Sequence, residues 1–336
     1  MNYDAIHRHI DEWYRKYGRL TLPWRNTLDP YHIYVSEVML QQTQVKTVLD
    51  RFYHPFLTQF PSLEALAGAK IESVLKAWEG LGYYSRARNL HKAATLTAPA
   101  LPDDFEALQT LPGIGKNTAA AICAFAFKQP IPVMEANLKR VLSRFFGYET
   151  AKDNDLWDAA YRLLNTSNPY DYNQAMMDIG SMVCLPKAPK CDLCPLQSEC
   201  VGTHRPEQFG VKKSKKVPTR SKDIFVWCAN DSLFLICRKE RFLNGMYGFP
   251  EFNSQEIAPN EIGATFIGNV SQKYSHFGLD AKVYISHTKD IAQFTNGSWY
   301  KISDITNLPM SEVDKKIVRL FKAHHKQANE KLELSV

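Results

Sequence analysis

Four cysteines constrain this chain more than any other feature. Cys184, Cys191, Cys194 and Cys200 follow one another as C-x6-C-x2-C-x5-C. Seven cysteines, four of them clustered, suit a metal site better than a secreted disulfide framework. Four thiolates so close in sequence can hold zinc or a four-iron, four-sulfur cube. Structural zinc usually takes two close C-x-x-C pairs, and only one pair is close here. The spacing therefore leans towards iron–sulfur and leaves both open. Cys123, Cys228 and Cys237 lie in apolar runs and read as core residues.

The chain has 336 residues, too many for one ordinary core, so two or three domains are expected. With 45% hydrophobic and 23% charged residues it is globular and not disordered. No apolar run is long enough to span a membrane, and the first residues lack the apolar core of a signal peptide. A soluble intracellular protein is the expectation. A net charge of +6 permits a polyanionic partner without demanding one.

Residues 1–202 show apolar positions recurring at three and four residues, broken at Pro and Gly, which predicts roughly ten short helices. Residues 203–222 are polar and basic and read as a linker. Its Lys212, Lys213, Lys215, Lys216, Arg220 and Lys222 either touch phosphates or are simply solvated. From 223 to 336 the pattern alternates. A hairpin is expected around Asn230-Asp231, further strands at ATFIGNV, KVYISH and GSWYKI, and a helix from Ser311 to His325. The fold class is thus a mostly α N-terminal region followed by a small α+β domain.

Four motifs carry chemistry. In VSEVMLQQTQ, read as a helix from Val35 to Gln44, Val35, Val38, Met39 and Gln42 share one face. Ile33, Glu37, Leu40, Gln41 and Gln44 share the other. Glu37 then sits where an apolar face turns polar, as the wall of a cleft would. LPGIGKNTAAAI is a Pro-Gly-x-Gly turn feeding a helix opened by Thr118. With the short helix FEALQT before it, it forms a helix-hairpin-helix. Gly113 and Gly115 let a ligand approach the backbone, and the helix start with Lys116 nearby would grip a DNA phosphate. In GLGYYSRARNL, Tyr83 leaves a glycine turn as a wedge into a base stack, while Arg86 and Arg88 would hold phosphates. In PVMEANLKRVLSRFFG, Glu135 and Asn137 open a helix with the apolar face Leu138, Val141, Leu142 and Phe145. A Glu there is often only a cap, but beside a DNA-gripping hairpin a carboxylate gains nothing unless it does chemistry.

Together these segments resemble the MutY family of adenine DNA glycosylases, within the endonuclease III-like superfamily. LPWR at Leu22 to Arg25, DPY at Asp29 to Tyr31, NQAMMDIG at Asn173 to Gly180 and the four cysteines add to the likeness, which covers nearly all of residues 1–202. The resemblance implies a base-excision repair hydrolase of N-glycosyl bonds. It would flip out and remove an adenine mispaired with 8-oxoguanine or guanine in double-stranded DNA. It implies that the cysteines ligate one 4Fe-4S cluster. It gives Glu37 the task of protonating the adenine. The second carboxylate, Glu135 with Asn137, would stabilise the oxocarbenium-like sugar. It suggests Trp24, Arg25, Leu40, Val45, Gln174 and Met177 as the adenine pocket, and Gln41, Gln42, Thr43 and Tyr83 as support for the gap. A monomer is expected, with a sliding clamp or a downstream AP endonuclease as candidate partners.

Two positions depart from the family. Its usual second carboxylate is Asp, and Glu135 is one methylene longer. The longer arm either displaces the oxygen by about 1 Å, a misplacement that can cost on the order of a hundredfold in rate, or takes a different rotamer, so activity is either reduced or retained. Strand-nicking relatives carry Lys immediately before the Thr of the hairpin motif. Here that residue is Asn117, and Lys116 points about 100° away on a helix start. A monofunctional glycosylase follows. The last domain more weakly resembles the MutT-like (Nudix-fold) domain that reads 8-oxoguanine, through NGMYGFPEF and QKYSHFGLD. There Tyr274 replaces a Phe, and Ser275 and His276 would contact the lesion. The glutamate-rich Nudix box is absent after Pro250, so nucleotide hydrolysis is not expected. Rival readings are another target base, such as thymine opposite guanine, added strand nicking, or a mispair-binding protein without catalysis.

Overall fold

A computed structural model describes residues 2–209, 217–240, 242–254, 256–287 and 297–333, with side chains to residue 327. The chain forms two compact units. One comprises Met1–Gly68 and Asn89–Ser214, the other Ala69–Arg88 and Lys215–Val336. Residues 69–88, which the sequence reading grouped with the helical region, thus pack with the C-terminal part of the chain.

Among the described residues the regular elements of the first unit are all helical, and their caps follow the sequence. Asp29 accepts from the Tyr31 amide at 2.8 Å and starts the helix Pro30–Leu40, with proline at the first position where no amide is needed. Asn168 and Pro169 repeat the arrangement for Pro169–Asp178. The helix Ala136–Phe146 buries Leu138, Val141, Leu142 and Phe145 as expected, against Ile6, Ile10 and Trp13 of Tyr3–Tyr17 and Tyr172, Ala175 and Met176 of Pro169–Asp178. Burying four such side chains stabilises the unit by roughly 1.5–3 kcal/mol each. After Asp178 the helix widens into a π turn, Ile179–Val183, closed by the Cys184 amide on the Ile179 carbonyl at 2.7 Å.

One helix differs from its expected length. Pro30–Leu40 stops at Leu40, so Gln41, Gln42 and Gln44 are not on it; Val45–Arg51 follows as a separate helix. Gln42 adopts a left-handed φ of 58°, which ends the helix and turns the chain. The two-faced reading fails for the same segment. Ile33, Tyr34, Val35, Ser36, Val38 and Met39 are all buried, and only Glu37 and Leu40 stay partly open towards its C-terminal end.

In the second unit the described strands are β1 (Thr219–Ala229), β2 (Ser232–Cys237), β3 (Tyr247–Gly248), β4 (Glu251–Asn253), β5 (Thr265–Lys273), β6 (Gly278–Ser286) and β7 (Gly297–Lys301). The order is β3-β2-β1-β6-β5, with β4 also on β1 and β7 on β2. The expected hairpin at Asn230-Asp231 is present, with Asn230 at φ 52°. β1 and β6 pair in parallel, which alternation along the chain does not reveal. Along β1, Ile224, Val226 and Cys228 face the core that includes Val313, Ile317 and Phe321 of the helix Glu312–Glu333; Phe225 and Trp227 face the other side. Within this unit, Lys76 donates to the Thr306 carbonyl at 2.6 Å, and Glu79 receives the Met310 amide at 2.9 Å and Lys315 at 2.8 Å.

The polar stretch read as a linker is structured at both ends. Pro206 accepts from Arg144 at 2.9 Å, and Thr219–Lys222 already belong to β1. Lys222 donates to Asn253. Lys212, Lys213, Lys215 and Lys216 lie outside the described residues.

Candidate active site

Glu37 and Glu135 come from different helices and meet electrostatically. Burial is the main force on the Glu37 carboxyl and the charge of Glu135 adds to it; Arg25 opposes both, and the carboxyl ends up at about 8. A carboxyl at that value keeps its proton at neutral pH. Burial also raises Glu135, but four groups resist: a hydrogen bond from Asn137 and the charges of Arg19, Arg140 and Arg25. Both carboxyls thus end above the usual range, and Glu135 is the one whose charge is supported by an amide donor and three guanidiniums. Glu135 sits at the N-cap position of Ala136–Phe146, yet its side chain caps nothing. It receives Asn137 Nδ2 at 3.3 Å instead. The capping explanation therefore does not hold.

Asn137 is held in turn. Arg140 Nη2 donates to Asn137 Oδ1 at 2.9 Å and to the Gly180 carbonyl at 2.6 Å, while its Nε donates to the Cys184 carbonyl at 2.8 Å. Gly180 of the π turn lies so close that a Cβ on it would come 2.8 Å from Asn137 Cβ. One turn later Arg144 donates to the carbonyls of Leu185, at 2.7 Å, and Pro206, at 2.9 Å. Its Nη1 lies 3.4 Å from Cys184 Sγ.

Of the proposed adenine-pocket residues, Trp24 is buried edge-on to Tyr53 at 5.1 Å. Arg25 forks onto Asp178 at 2.7 and 2.8 Å. Arg19 joins from its amide at 2.8 Å and its Nε at 2.7 Å. Burial works against the charge on Asp178, but the two arginines outweigh it and hold its carboxyl below the usual range. The sequence reading missed Asp178, Arg19 and Arg140. The signal for the first was at hand, an acid inside NQAMMDIG. Gln174 is buried on the same helix as Asp178, and Met177 packs beside the cluster of Ile33, Phe125 and Val133. Leu40 and Val45 stand partly buried at the two ends of the 41–44 turn.

The DNA-facing assignments divide. Gln41 donates to Thr118 at 3.2 Å, joining that turn to the helix Lys116–Ala126. Thr43 stays at the turn, its hydroxyl donating to the Gln41 carbonyl at 3.4 Å. The helix opens at Gly115, not at Thr118, and no side chain caps it. Its first amides keep their donor capacity for an anion. Gly115 has open space where a Cβ would be, as a backbone approached by a ligand requires; Gly113 has φ 77° and packs on Asn89. Lys116 does not reach out: its Nζ lies 3.9 Å from the Trp157 ring centroid.

Tyr83 is 41% exposed at φ 50°, as a wedge residue would be. Arg86, by contrast, is buried. It donates to the Leu81 and Gly82 carbonyls and lies over the rings of Trp78 and Tyr83. Arg88 donates to the Asn244 carbonyl. In both, guanidinium donors go to carbonyls of the second unit. In the second unit Tyr274 is partly buried and Ser275 and His276 are exposed, at the turn between β5 and β6.

The thiols of Cys184, Cys191, Cys194 and Cys200 line one cavity with Val141, Arg144 and Phe145. Burial pushes the Cys194 thiol up to about 12, and the other three cysteines add to the shift. Four thiolates there need more positive charge than Arg144 alone supplies, so the donor set fits a metal centre. Among the described residues no three ligand-type side chains stand at the spacing of one bound ion.

Residues 35–164 match a family described as HhH-GPD superfamily base excision DNA repair protein. An adenine DNA glycosylase of Buchnera aphidicola subsp. Schizaphis graminum is 32% identical over 339 residues, 93% of this chain and 97% of that one. The adenine DNA glycosylase of Rattus norvegicus is 41% identical over 214 residues, 58% of this chain and 41% of that one. Among solved structures, a thermostable thymine-DNA glycosylase aligns at TM-score 0.56 and 28% identity, over 60% of this chain and 97% of that one. A non-covalent endonuclease III–DNA complex aligns at TM-score 0.51 and 19% identity, over 61% of this chain and 98% of that one, and shares the fold.

Proposed function

This chain belongs to the adenine DNA glycosylases of the HhH-GPD superfamily, and on that premise we propose how its residues remove adenine and which mispair they serve. It is a base-excision repair enzyme that hydrolyses the N-glycosyl bond of adenine in DNA. Glu37, protonated at neutral pH, donates to N7 of the flipped adenine, so that the base leaves neutral. Glu135, with three arginines in its field and Asn137 on its oxygen, stays the anion and stabilises the sugar cation as it forms. Asp178, Arg19 and Arg25 fix the floor of the base pocket. The single observation that carries this reading is the unequal treatment of the two carboxyls.

The substrate is double-stranded DNA in which adenine faces 8-oxoguanine or guanine. The exposed Ser275 and His276 support the reading of the opposite base, and exposed Tyr83 supports the wedge. The uncapped start at Gly115 supports a phosphate contact. Asn117 in the nucleophile position, with Lys116 held on Trp157, supports a monofunctional enzyme. The four cysteines would ligate a 4Fe-4S cluster whose part is structural: it supplies the positive charge that lets the thiolates ionise.

The test is adenine release from a duplex holding one A opposite 8-oxoguanine. It is run under single-turnover conditions for wild type, Glu37→Gln and Glu135→Gln, and read with and without alkali. Release by wild type alone, with strand breaks only after alkali, supports the whole scheme. Full activity in Glu135→Gln removes Glu135 from it. Release of thymine from a T·G duplex and not of adenine would move the chain towards the thymine-specific reading of the same scaffold.

A further inference from the structure

The turn between β5 and β6 is not built by the hairpin alone. Its backbone closes where the Tyr274 amide donates to the Phe277 carbonyl at 2.9 Å. Phe242, from the loop between β2 and β3, then meets three of its rings. The centroids lie 5.0 Å from Tyr274, 5.4 Å from His276 and 5.3 Å from Phe277, all edge to face. From β1, the Arg220 guanidinium lies 4.3 Å over Phe277. Two separate segments thus converge on one short turn.

The loop that carries Phe242 is fixed at its base. The Gly245 amide donates to the Arg238 carbonyl at 2.8 Å, the Met246 amide to Leu243 at 3.0 Å, and Asn244 Nδ2 to Lys239 at 2.7 Å. Arg238 is itself buried and paired with Asp314 and Glu251. Leu243 and Gly245 both take left-handed φ, 59° and 77°. Despite this framework Phe242 remains 39% exposed. A ring placed by so much structure and then left open is misused as packing. The imidazole of His276 meets it, Ser275 Oγ lies 3.3 Å from that imidazole, and the Arg220 guanidinium covers the neighbouring Phe277 ring. An apolar face flanked by hydrogen-bonding groups and a cation is what a planar purine needs, stacking on one side and edge contacts on the other.

We propose that Phe242 is a specificity-determining residue of the opposite-base reader, setting the rings of the 274–277 turn and presenting its open face to the purine opposite adenine. This rests on the reading of Tyr274, Ser275 and His276 as the 8-oxoguanine contact. The test uses the full chain and duplexes with a non-cleavable adenine analogue opposite 8-oxoguanine or guanine. Dissociation constants are measured for wild type, His276→Ala, Phe242→Ala and Phe242→Tyr, with the melting temperature of each. The preference for 8-oxoguanine over guanine is the readout, because a merely structural loss weakens both duplexes by one factor and leaves the ratio alone. The expected result is a preference reduced about tenfold in Phe242→Ala and restored in Phe242→Tyr. A wild-type preference in Phe242→Ala, together with a lost one in His276→Ala, overturns the role of Phe242 and spares the turn. An unaltered preference in both variants overturns the reading of the turn and Phe242 with it.

Discussion

Burial lifts the Glu37 carboxyl and the charge of Glu135 adds to it, bringing it to about 8 against the pull of Arg25. The proton that adenine needs is therefore present below about pH 8 and lost as pH rises through it. Single-turnover excision should be flat through neutral pH and fall on the alkaline side, with a midpoint near 8. Glu37→Gln should lower the rate by at least about a hundredfold. A wild-type profile that stays flat to well above 8 would remove Glu37 as the acid.

The same shift acts on stability. In the folded chain Glu37 binds its proton up to about 8; unfolded, only up to the ordinary value of 4.5. Between those values the folded state holds more protons, so stability falls as pH rises through the window. Glu37→Gln has no such dependence at this position. Its melting temperature should exceed that of wild type at about pH 9, and the gap should narrow towards about pH 5. Equal gaps at both would mean the carboxyl is solvated.

In the proposed scheme Glu135 acts by charge. Glu135→Gln keeps the shape and removes the charge, and should cost on the order of a hundredfold or more in excision. Glu135→Asp keeps the charge on a shorter arm and should lie within about tenfold of wild type. Equal losses in the two variants would point to reach and not charge.

Arg140 joins Asn137 to the backbone of Gly180 and Cys184. Arg140→Met should free Asn137 to rotate and slow excision by about tenfold to a hundredfold, with little change in Kd for the duplex. Gly180→Ala should give a similar kinetic defect from the opposite side, because its Cβ displaces Asn137. Loss of DNA affinity without loss of rate in either variant would contradict this.

Lys116 lies on Trp157 and Asn117 offers no amine. Wild type should leave abasic product unbroken until alkali is added, and Lys116→Ala should change neither that outcome nor the site of cleavage. Strand breaks without alkali that vanish in Lys116→Ala would show a lysine nucleophile.

What could be read in the sequence was local. Leu138, Val141, Leu142 and Phe145 announce their face by spacing, and Asp29-Pro30 and Asn168-Pro169 announce helix starts. The hairpin at Asn230 follows from a residue that tolerates left-handed backbone. What could not be read was a pairing over distance. Asp178 meets Arg25 across 153 residues and Arg140 meets Cys184 across 44, and nothing beside either arginine in sequence says so. Arg86 shows the limit of chemical type. An arginine near aromatics suggests phosphate, and nothing in the residue type says that its guanidinium also reaches the Leu81 and Gly82 carbonyls. β1 finds β6 in parallel for the same reason, since strand partners are chosen by the core and not by neighbours in the chain.

Residues 69–88 give the second unit a property of connectivity. The chain enters that unit, leaves it and returns more than a hundred residues later, and Lys76 and Glu79 bind it to the 306–315 segment. A protease that cuts once between the 69–88 segment and β1 would break the polypeptide and still not release a lobe. The two fragments would share one folded body and travel together until a denaturant parted them.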